Sequence, residues 1–176
     1  MSYKLFSLND MLIQYGENDV VSTLSSFVCS KDVDREDFLR YKAIMMEKKA
    51  MSRTYIAFSE DTSISGYFSV GMKCMGVPEN IPISNSLRKK LNINNETGIA
   101  QMYLLGQLAR SDNSEPGIGS MLLEDALNTI HKAFISVGCR AVRVDCADEL
   151  VDYYTKHGFI FINKVEGLNR LVAVLD

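Results

Sequence analysis

The sequence predicts an α/β fold in which a mixed β-sheet carries helices on its faces, within a single domain of residues 1–176. Three observations support this prediction. The segments run in the order β-β-β and then β-loop-α-β-α-β, residues 99–108 are apolar on both faces like a central strand, and a long amphipathic helix begins at Gly119. At 176 residues with 47% hydrophobic side chains, the chain can bury a core without disulfide bonds.

The N-terminal half is predicted to contain helical segments followed by a β-hairpin. Asp34, with Asp37 three residues later, is typical of a helix N-cap with an acidic third position, and the amphipathic pattern behind it continues to about Ala50. The predicted elements are, in order, a strand at residues 3–6, helical segments at 11–27 with a break at 16–19, the helix ending near residue 50, and hairpin strands at 54–58 and 64–72.

The C-terminal half is predicted to alternate strands and helices. Residues 76–98 differ from the rest because they hold two of the three prolines and several asparagines, so they are interpreted as an insertion or lid, with a plain connection as the alternative. The predicted elements are a short basic helix at residues 86–91, a strand at 99–108, a helix from Gly119 ended by Gly138, a strand at 141–146, a short helix at 148–157, and strands at 159–162 and 171–175.

Charge and composition exclude several classes of protein. The formal net charge of −3 gives no global attraction to nucleic acid or anionic membranes, so any such binding needs a local patch. The N-terminus lacks a secretory apolar core and no segment is long enough to span a membrane. The four scattered cysteines are interpreted as free thiols in a reducing cytoplasm, and the two histidines have no ligand spacing, so no metal is expected.

The turn Ser114-Glu115-Pro116-Gly117-Ile118-Gly119-Ser120 is the first candidate for chemistry. Glycines allow close approach of the backbone, and free N–H groups at a helix N-terminus suit an anionic pyrophosphate. An ordinary strand-to-helix turn is the competing interpretation. A dinucleotide-binding G-x-G-x-x-G motif is excluded because Leu122 stands at the last glycine position, and no P-loop lysine is present.

Tyr154 is the second candidate. The short helix that carries it follows a sheet strand, near the edge where ligands gather in α/β folds. A phenol with an ordinary pKa near 10 can donate a proton to a departing thiolate. The alternative, which Tyr153 shares, is a core tyrosine with a satisfied hydroxyl.

Together these two motifs resemble the GNAT superfamily of acetyl-CoA-dependent N-acetyltransferases. The resemblance covers residues 54–175 and is carried by a strand ending in Leu108-Ala109, the Gly117-x-Gly119 turn, a long helix, a strand, and Tyr154-x-x-x-Gly158-Phe159. Within the superfamily, the chain is most similar to the toxins of bacterial toxin–antitoxin pairs. That similarity lies in Gly66-Tyr67-Phe68, in the insertion before Leu105-Gly106-Gln107-Leu108-Ala109-Arg110, and in the tail that enters the last strand.

The resemblance implies a mostly antiparallel GNAT-like sheet and a role for each motif. Backbone groups of Leu108, Ala109 and Arg110 would pair with the pantetheine arm of acetyl-CoA, residues 114–120 would wrap the pyrophosphate, and Tyr154 would be the general acid. The chain departs from the family at Ser114, where glutamine or arginine is usual, and Glu115 adds a negative charge beside the pyrophosphate. Arg110 is a candidate for the compensating positive charge.

The sequence does not identify the acceptor amine or the general base. The toxin resemblance implies an aminoacyl-tRNA amine and an antitoxin partner. The candidate tRNA contacts are Arg88, Lys89 and Lys90 in the insertion, and a second basic set on and after the helix that ends near residue 50, namely Arg35, Arg40, Lys42, Lys48, Lys49 and Arg53. A small-molecule or protein amine and a non-catalytic acyl-CoA-binding module are the alternatives, and a homodimer is neither implied nor excluded. Asp145 and Glu60 are candidate bases, although both fit simple surface charges. An α-amino group with a pKa near 8 needs only water to deprotonate it.

Overall fold

The computed structural model describes residues 3–176, within which seven strands and seven α-helices are found. The strands are β1 (Lys4–Ser7), β2 (Ser52–Phe58), β3 (Ile64–Gly76), β4 (Ile99–Arg110), β5 (Ala141–Cys146), β6 (Ile160–Val165) and β7 (Leu168–Val174). The helices are α1 (Leu8–Tyr15), α2 (Glu17–Ser25), α3 (Val33–Asp37), α4 (Ala43–Lys48), α5 (Asn85–Lys90), α6 (Ile118–Val137) and α7 (Val151–Lys156).

The strands form a mixed sheet with the order β1-β2-β3-β4-β5-β7-β6. Strands β4 and β5 are parallel, with Tyr103 opposite Val142, whereas the pairs β1–β2, β2–β3, β5–β7 and β6–β7 are antiparallel. The parallel pair follows from the connection through α6, because parallel neighbours need a long crossover. The predicted mixed, mostly antiparallel α/β fold is confirmed.

The chain divides into two compact units, and β3, β4 and α6 contribute residues to both. The first unit holds the chain up to Gly71 together with Gly106–Asn128. Its core centres on the buried Tyr67, whose ring stacks on Phe38 and meets Phe27 edge-on. The Tyr67 hydroxyl donates to the carbonyl oxygen of Arg35 at 2.6 Å, so the core and α3 are tied by one polar contact.

The second unit holds Met72–Leu105 and Thr129–Asp176. Its core includes apolar side chains from residues 76–98, the predicted insertion or lid. Val77 and Leu91 are each 1% exposed and pack with Met102 and Val172 of the sheet. This segment is therefore part of the packed core of its unit. The assignment of the whole chain to one domain stays a prediction.

Two differences from the sequence prediction lie around α3 and α4. The N-cap expected at Asp34 lies two residues earlier, because the Asp32 side chain accepts from the N–H of Arg35, and the helix begins at Val33. A π-helical turn at Phe38–Lys42 then separates α3 from α4, where an uninterrupted helix was expected. No helix within residues 3–176 is long and apolar enough to cross a membrane.

Candidate functional site

The turn before α6 contains backbone N–H groups that are available to a ligand. Gly117 has φ of +92°, a conformation that favours glycine. Its carbonyl oxygen accepts from the N–H groups of Ser120 and Met121 at 3.1 and 3.3 Å. The N–H groups of Gly117 and Gly119 donate to no acceptor found in the described part of the chain. With the dipole of a 20-residue helix behind them, these donors suit an anionic group.

The segment that leads into the turn is fixed by backbone hydrogen bonds. The N–H of Ser111 donates to the carbonyl oxygen of Ser65 on β3 at 2.8 Å, and the N–H of Asp112 donates to that of Val28 at 3.0 Å. In return, the N–H of Ser30 donates to the Asp112 carboxylate at 3.1 Å. Hydrogen bonding to Ser30 lowers the pKa of Asp112. The turn therefore starts from an anchored position.

The structure leaves no room for a side chain at Gly66, beside the end of β4. A Cβ atom at this position would lie 2.5 Å from the carbonyl oxygen of Ala109, 2.6 Å from Cδ1 of Leu122 and 3.1 Å from Cα of Arg110. Two of these atoms are backbone and cannot move aside. The absence of a side chain at Gly66 thus sets the position of Ala109 and Arg110, whose backbone is the predicted pantetheine contact.

The electrostatics of the turn are mixed. Glu115 is exposed, and it lines a groove of about 620 Å³ together with Glu60 and Asp61 of the β2–β3 turn. Hydrogen bonds from Ser59 and Ser63 lower the pKa of Asp61 to about 2. Against these charges stands Arg110, whose Nη1 lies 3.5 Å from the hydroxyl oxygen of Ser114. Arg110 is therefore beside the position where the family usually has a basic or amide side chain.

Tyr154 lies on α7 in the second unit and is 3% exposed. Its ring meets those of Tyr153 and Phe159 edge-on, with centroids 5.1 and 5.5 Å away. Its carbonyl oxygen accepts from the N–H groups of His157 and Phe159, and Gly158 between them has φ of +87°. The Tyr-x-x-x-Gly-Phe motif thus fixes one ring between two others at a helix C-terminus.

A short 3₁₀ turn, Asp148–Leu150, leads into α7 and is held by one carboxylate. The Asp148 oxygens accept from Nζ of Lys164 at 2.7 and 2.8 Å and from Nδ2 of Asn169 at 2.7 Å. These hydrogen bonds lower the pKa of Asp148, the one from Lys164 most strongly. Sequence reasoning missed Asp148, because its partners lie 16 and 21 residues away.

Of the two candidate general bases, Asp145 is engaged in an ion pair and Glu60 lies exposed in a turn. Asp145 accepts from Nε of Arg143 at 2.7 Å and from Nη2 at 2.6 Å, and the Arg143 side chain is 2% exposed. Both oxygens of Asp145 are therefore held by one guanidinium within the chain. Glu60 is exposed in the hairpin turn.

The three candidate tRNA contacts in the insertion fall into two groups. Arg88 donates from Nη2 to the carbonyl oxygens of Pro78, Glu79 and Ile81 at 3.0 to 3.1 Å, so its guanidinium is used within the chain. Lys89 and Lys90 are exposed. The predicted cofactor residues 108–110 and 114–120 all belong to the first unit, whereas Tyr154 and residues 88–90 belong to the second.

Comparison with known proteins identifies the fold. No protein-family model and no curated protein matches the chain. Among solved structures, AtaT complexed with acetyl-methionyl-tRNAfMet matches with a TM-score of 0.76 and 20% identity, over 98% of this chain and 95% of that chain. A tyrosine-to-phenylalanine mutant of KacT matches with a TM-score of 0.77 and 19% identity, over 99% and 95%. A mutant of the toxin AtaT, bound to the C-terminus of the antitoxin AtaR and acetyl-CoA, matches with a TM-score of 0.71 and 18% identity, over 99% and 94%. The chain therefore has the GNAT fold that the sequence resemblance predicted.

Proposed function

We propose that the protein is an N-acetyltransferase that uses acetyl-CoA to acetylate the α-amino group of an aminoacyl-tRNA. The observation that carries the proposal is the turn before α6, where the N–H groups of Gly117 and Gly119 have no acceptor within residues 3–176 at a helix N-terminus. The fold adds to it, because structures with this fold include AtaT with acetyl-methionyl-tRNAfMet and AtaT with acetyl-CoA.

In this proposal the first unit binds the acetyl donor. The free N–H groups of the turn donate to the pyrophosphate, and backbone groups of Leu108, Ala109 and Arg110 pair with the pantetheine arm. Gly66 holds that backbone in place. The Arg110 side chain supplies the positive charge that Ser114 lacks, and it opposes the negative charge of Glu115.

The transfer is direct, and it needs neither a metal ion nor a covalent enzyme intermediate. The neutral amine of the acceptor attacks the thioester carbonyl carbon, so that a C–N bond forms and the C–S bond breaks. The phenol of Tyr154 gives its proton to the leaving thiolate, and water takes the proton that the amine loses. Packing against two aromatic rings keeps the phenol in one orientation.

An acceptor amine that is already partly neutral at physiological pH needs no carboxylate base. Asp145 is bound by Arg143, and an α-amino group has an ordinary pKa near 8, against about 10.4 for a lysine side chain. At pH 7.5 roughly a quarter of such α-amino groups are neutral, compared with about one lysine side chain in a thousand. This difference supports an aminoacyl acceptor over a lysine.

A related partner and compartment follow from the same proposal. The AtaT mutant toxin is bound to the C-terminus of the antitoxin AtaR in its structure. We therefore also propose that an antitoxin protein binds this chain. Aminoacyl-tRNA is a cytoplasmic substrate, so the proposal assigns the protein to the cytoplasm.

Transfer of radiolabelled acetyl groups from acetyl-CoA tests the proposal. Purified protein is incubated with charged tRNA, a lysine-containing peptide or a polyamine, and deacylated tRNA is the control. We expect label on charged tRNA alone, released by mild base together with the aminoacyl ester. Label on the peptide or polyamine instead would favour an acetyltransferase whose acceptor is a protein or small-molecule amine. Acetyl-CoA binding without transfer to any amine would favour a non-catalytic module, the alternative that Ser114 and Glu115 suggest.

A further inference from the structure

Residues 27–30 connect α2 to α3, and their backbone is hydrogen-bonded in alternation to two different partners. Residues 27 and 29 are held by side chains of α3 and of the π-helical turn that follows it. Residues 28 and 30 are held by Asp112, at the start of the turn before α6. We call residues 27–30 the linking segment. The segment and all these partners belong to the first unit.

Glu36 and Arg40 hold one side of the linking segment. Nε and Nη2 of Arg40 donate to the carbonyl oxygen of Phe27 at 2.9 and 2.5 Å, and Oε2 of Glu36 accepts from the N–H of Cys29 at 2.7 Å. Nη1 of Arg40 also pairs with Oε1 of Glu36 at 2.7 Å, so each side chain orients the other. Arg40 lies within the π-helical turn Phe38–Lys42, and such turns are frequent at functional sites.

Asp112 holds the other side by a reciprocal contact. Its N–H donates to the carbonyl oxygen of Val28 at 3.0 Å, and both of its carboxylate oxygens accept from the N–H of Ser30 at 3.1 Å. The turn continues directly from there, because the N–H and the hydroxyl of Ser114 donate to the carbonyl oxygen of Ser111 at 3.1 and 2.7 Å. Asp112 therefore joins the linking segment to the turn that we assign to the pyrophosphate.

The linking segment and the turn also share a surface. Val28 is 41% exposed and lines the groove of about 620 Å³ together with Ser114 and Glu115. Phe27 is buried, and its ring meets that of Tyr67 edge-on with the centroids 5.4 Å apart. The segment is thus packed on the core of its unit on one side and contacts the turn on the other.

The charge of Asp112 does not explain its position. Hydrogen bonding to Ser30 lowers the pKa of its carboxyl group, and the charges of Lys31 and Arg110 lower it further, so it is negatively charged at neutral pH. A negative charge beside a pyrophosphate weakens its binding. A positioning role and a purely electrostatic role therefore predict opposite effects on acetyl-CoA binding when the carboxylate is removed.

We propose that Asp112, Glu36 and Arg40 are positioning residues for the acetyl donor. Through the linking segment they hold the turn before α6 in the conformation that binds acetyl-CoA. The inference rests on the proposed function, because it takes this turn as the pyrophosphate site. It also gives Arg40, a candidate tRNA contact from the sequence, a role within the first unit.

Two readouts follow the turn and the segment without any acetyl transfer. Equilibrium binding of acetyl-CoA, measured without an acceptor, follows the turn. Cys29 is 6% exposed and burial raises the pKa of its thiol, so opening of the segment should speed its labelling by maleimide. Peptide mass spectrometry separates Cys29 from Cys146, the buried cysteine of the second unit that serves as the internal reference. In the wild type, saturating acetyl-CoA should slow the labelling of Cys29, because a ligand stabilises the form that binds it.

Two substitutions of Asp112 separate position from charge. Both remove the negative charge, but the side-chain carbonyl oxygen in Asp112→Asn can still accept from Ser30. Asp112→Ala should weaken acetyl-CoA binding about fivefold and label at Cys29 about tenfold faster, whereas Asp112→Asn should bind acetyl-CoA at least as tightly as about half the wild-type affinity. Asn94→Ala is the control, because Asn94 likewise accepts from two backbone N–H groups but belongs to the second unit. It should leave both readouts unchanged.

A double-variant cycle tests whether Glu36 acts through the same segment. Glu36→Ala should weaken acetyl-CoA binding by a factor similar to that of Asp112→Ala. Once the Asp112 carboxylate is gone, the position of the segment has little further influence on the turn. Glu36→Ala/Asp112→Ala should therefore bind within about twofold of the weaker single variant.

Three results would overturn the proposal: tighter acetyl-CoA binding by Asp112→Ala, unchanged Cys29 labelling in that variant, or independent effects of Glu36 and Asp112 in the cycle. Transfer to charged tRNA with wild-type acetyl-CoA affinity in Asp112→Ala would refute the positioning role and leave the proposed function intact. Acetyl-CoA binding that follows the expected pattern, without transfer to any amine, would do the reverse. A wild-type protein that does not bind acetyl-CoA would contradict both.

Discussion

A side-chain carbon on Gly66 would lie 2.5 Å from the carbonyl oxygen of Ala109, a separation that no packed pair of these atoms adopts. The glycine on β3 therefore determines how closely the end of β4 can approach. Ala109 and its neighbours are the proposed pantetheine contact. The close packing of the Gly66 and Ala109 backbones therefore positions the proposed acetyl-CoA site.

Gly66→Ala should therefore reduce both stability and acetyl-CoA affinity. We expect overpacking to lower the free energy of unfolding by about 1–3 kcal/mol, and the KM for acetyl-CoA to rise more than the KM for the acceptor. Gly76→Ala, on the same strand, is the control because nothing lies within 4 Å of its Cβ position. Chemical denaturation and steady-state kinetics measure both effects. Equal behaviour of the two variants would show that the close approach is unimportant.

The order of the elements could be predicted from the sequence because hydrophobic periodicity and glycine positions are local signals. The turn at Gly117 and the Tyr154 motif could be located for the same reason, because each is a short contiguous stretch of sequence. The partners of Arg88 and Asp145 were not, since a sequence does not show which carbonyl or guanidinium will lie beside a charge. The π-helical turn at residues 38–42 was also missed, because its apolar pattern is that of an ordinary helix.

Glu115→Gln should strengthen acetyl-CoA binding. The substitution removes an exposed negative charge beside the helix N-terminus that we assign to the pyrophosphate. An exposed charge at a helix end is worth about 0.3–1 kcal/mol at low ionic strength, so the KM for acetyl-CoA should fall roughly two- to fivefold. The gain should fade in 0.5 M salt. Glu96→Gln, also exposed, is the control and should leave this KM unchanged; a rise in KM for Glu115→Gln would contradict the assigned orientation of the turn.

Asp145→Asn should act through stability, because the substitution leaves the buried Arg143 guanidinium without its carboxylate. Breaking such a pair costs about 3–5 kcal/mol, whereas replacing both partners by apolar residues costs far less. The double variant Arg143→Met/Asp145→Leu should therefore be more stable than Asp145→Asn in urea denaturation. If Asp145→Asn instead keeps full stability and the fall of the rate at low pH disappears from the pH–rate profile, Asp145 is the general base after all.

Asp148 should make the stability of the folded protein decrease in acid. Its pKa is lowered in the folded protein by the hydrogen bonds from Lys164 and Asn169, so its stabilisation is present above the ordinary carboxyl pKa near 4 and is lost as the pH falls through the lower folded pKa. The difference in Tm between wild type and Asp148→Asn should be largest at pH 5–7 and should vanish toward pH 2. Asp152→Asn on α7, whose carboxylate has no ion pair within residues 3–176, is the matched control. A pH-independent difference would exclude this linkage.

Cell-free protein synthesis with and without acetyl-CoA tests the central claim most directly. The assay compares wild type with Tyr154→Phe, and it uses Tyr41→Phe, at a position 74% exposed, as the control. We predict arrest that requires acetyl-CoA, is retained by Tyr41→Phe and needs at least a hundredfold more Tyr154→Phe protein, because general acid catalysis contributes about 10²–10⁴ to the rate. Undisturbed synthesis by the wild-type protein, or equal arrest by Tyr154→Phe, would contradict the account.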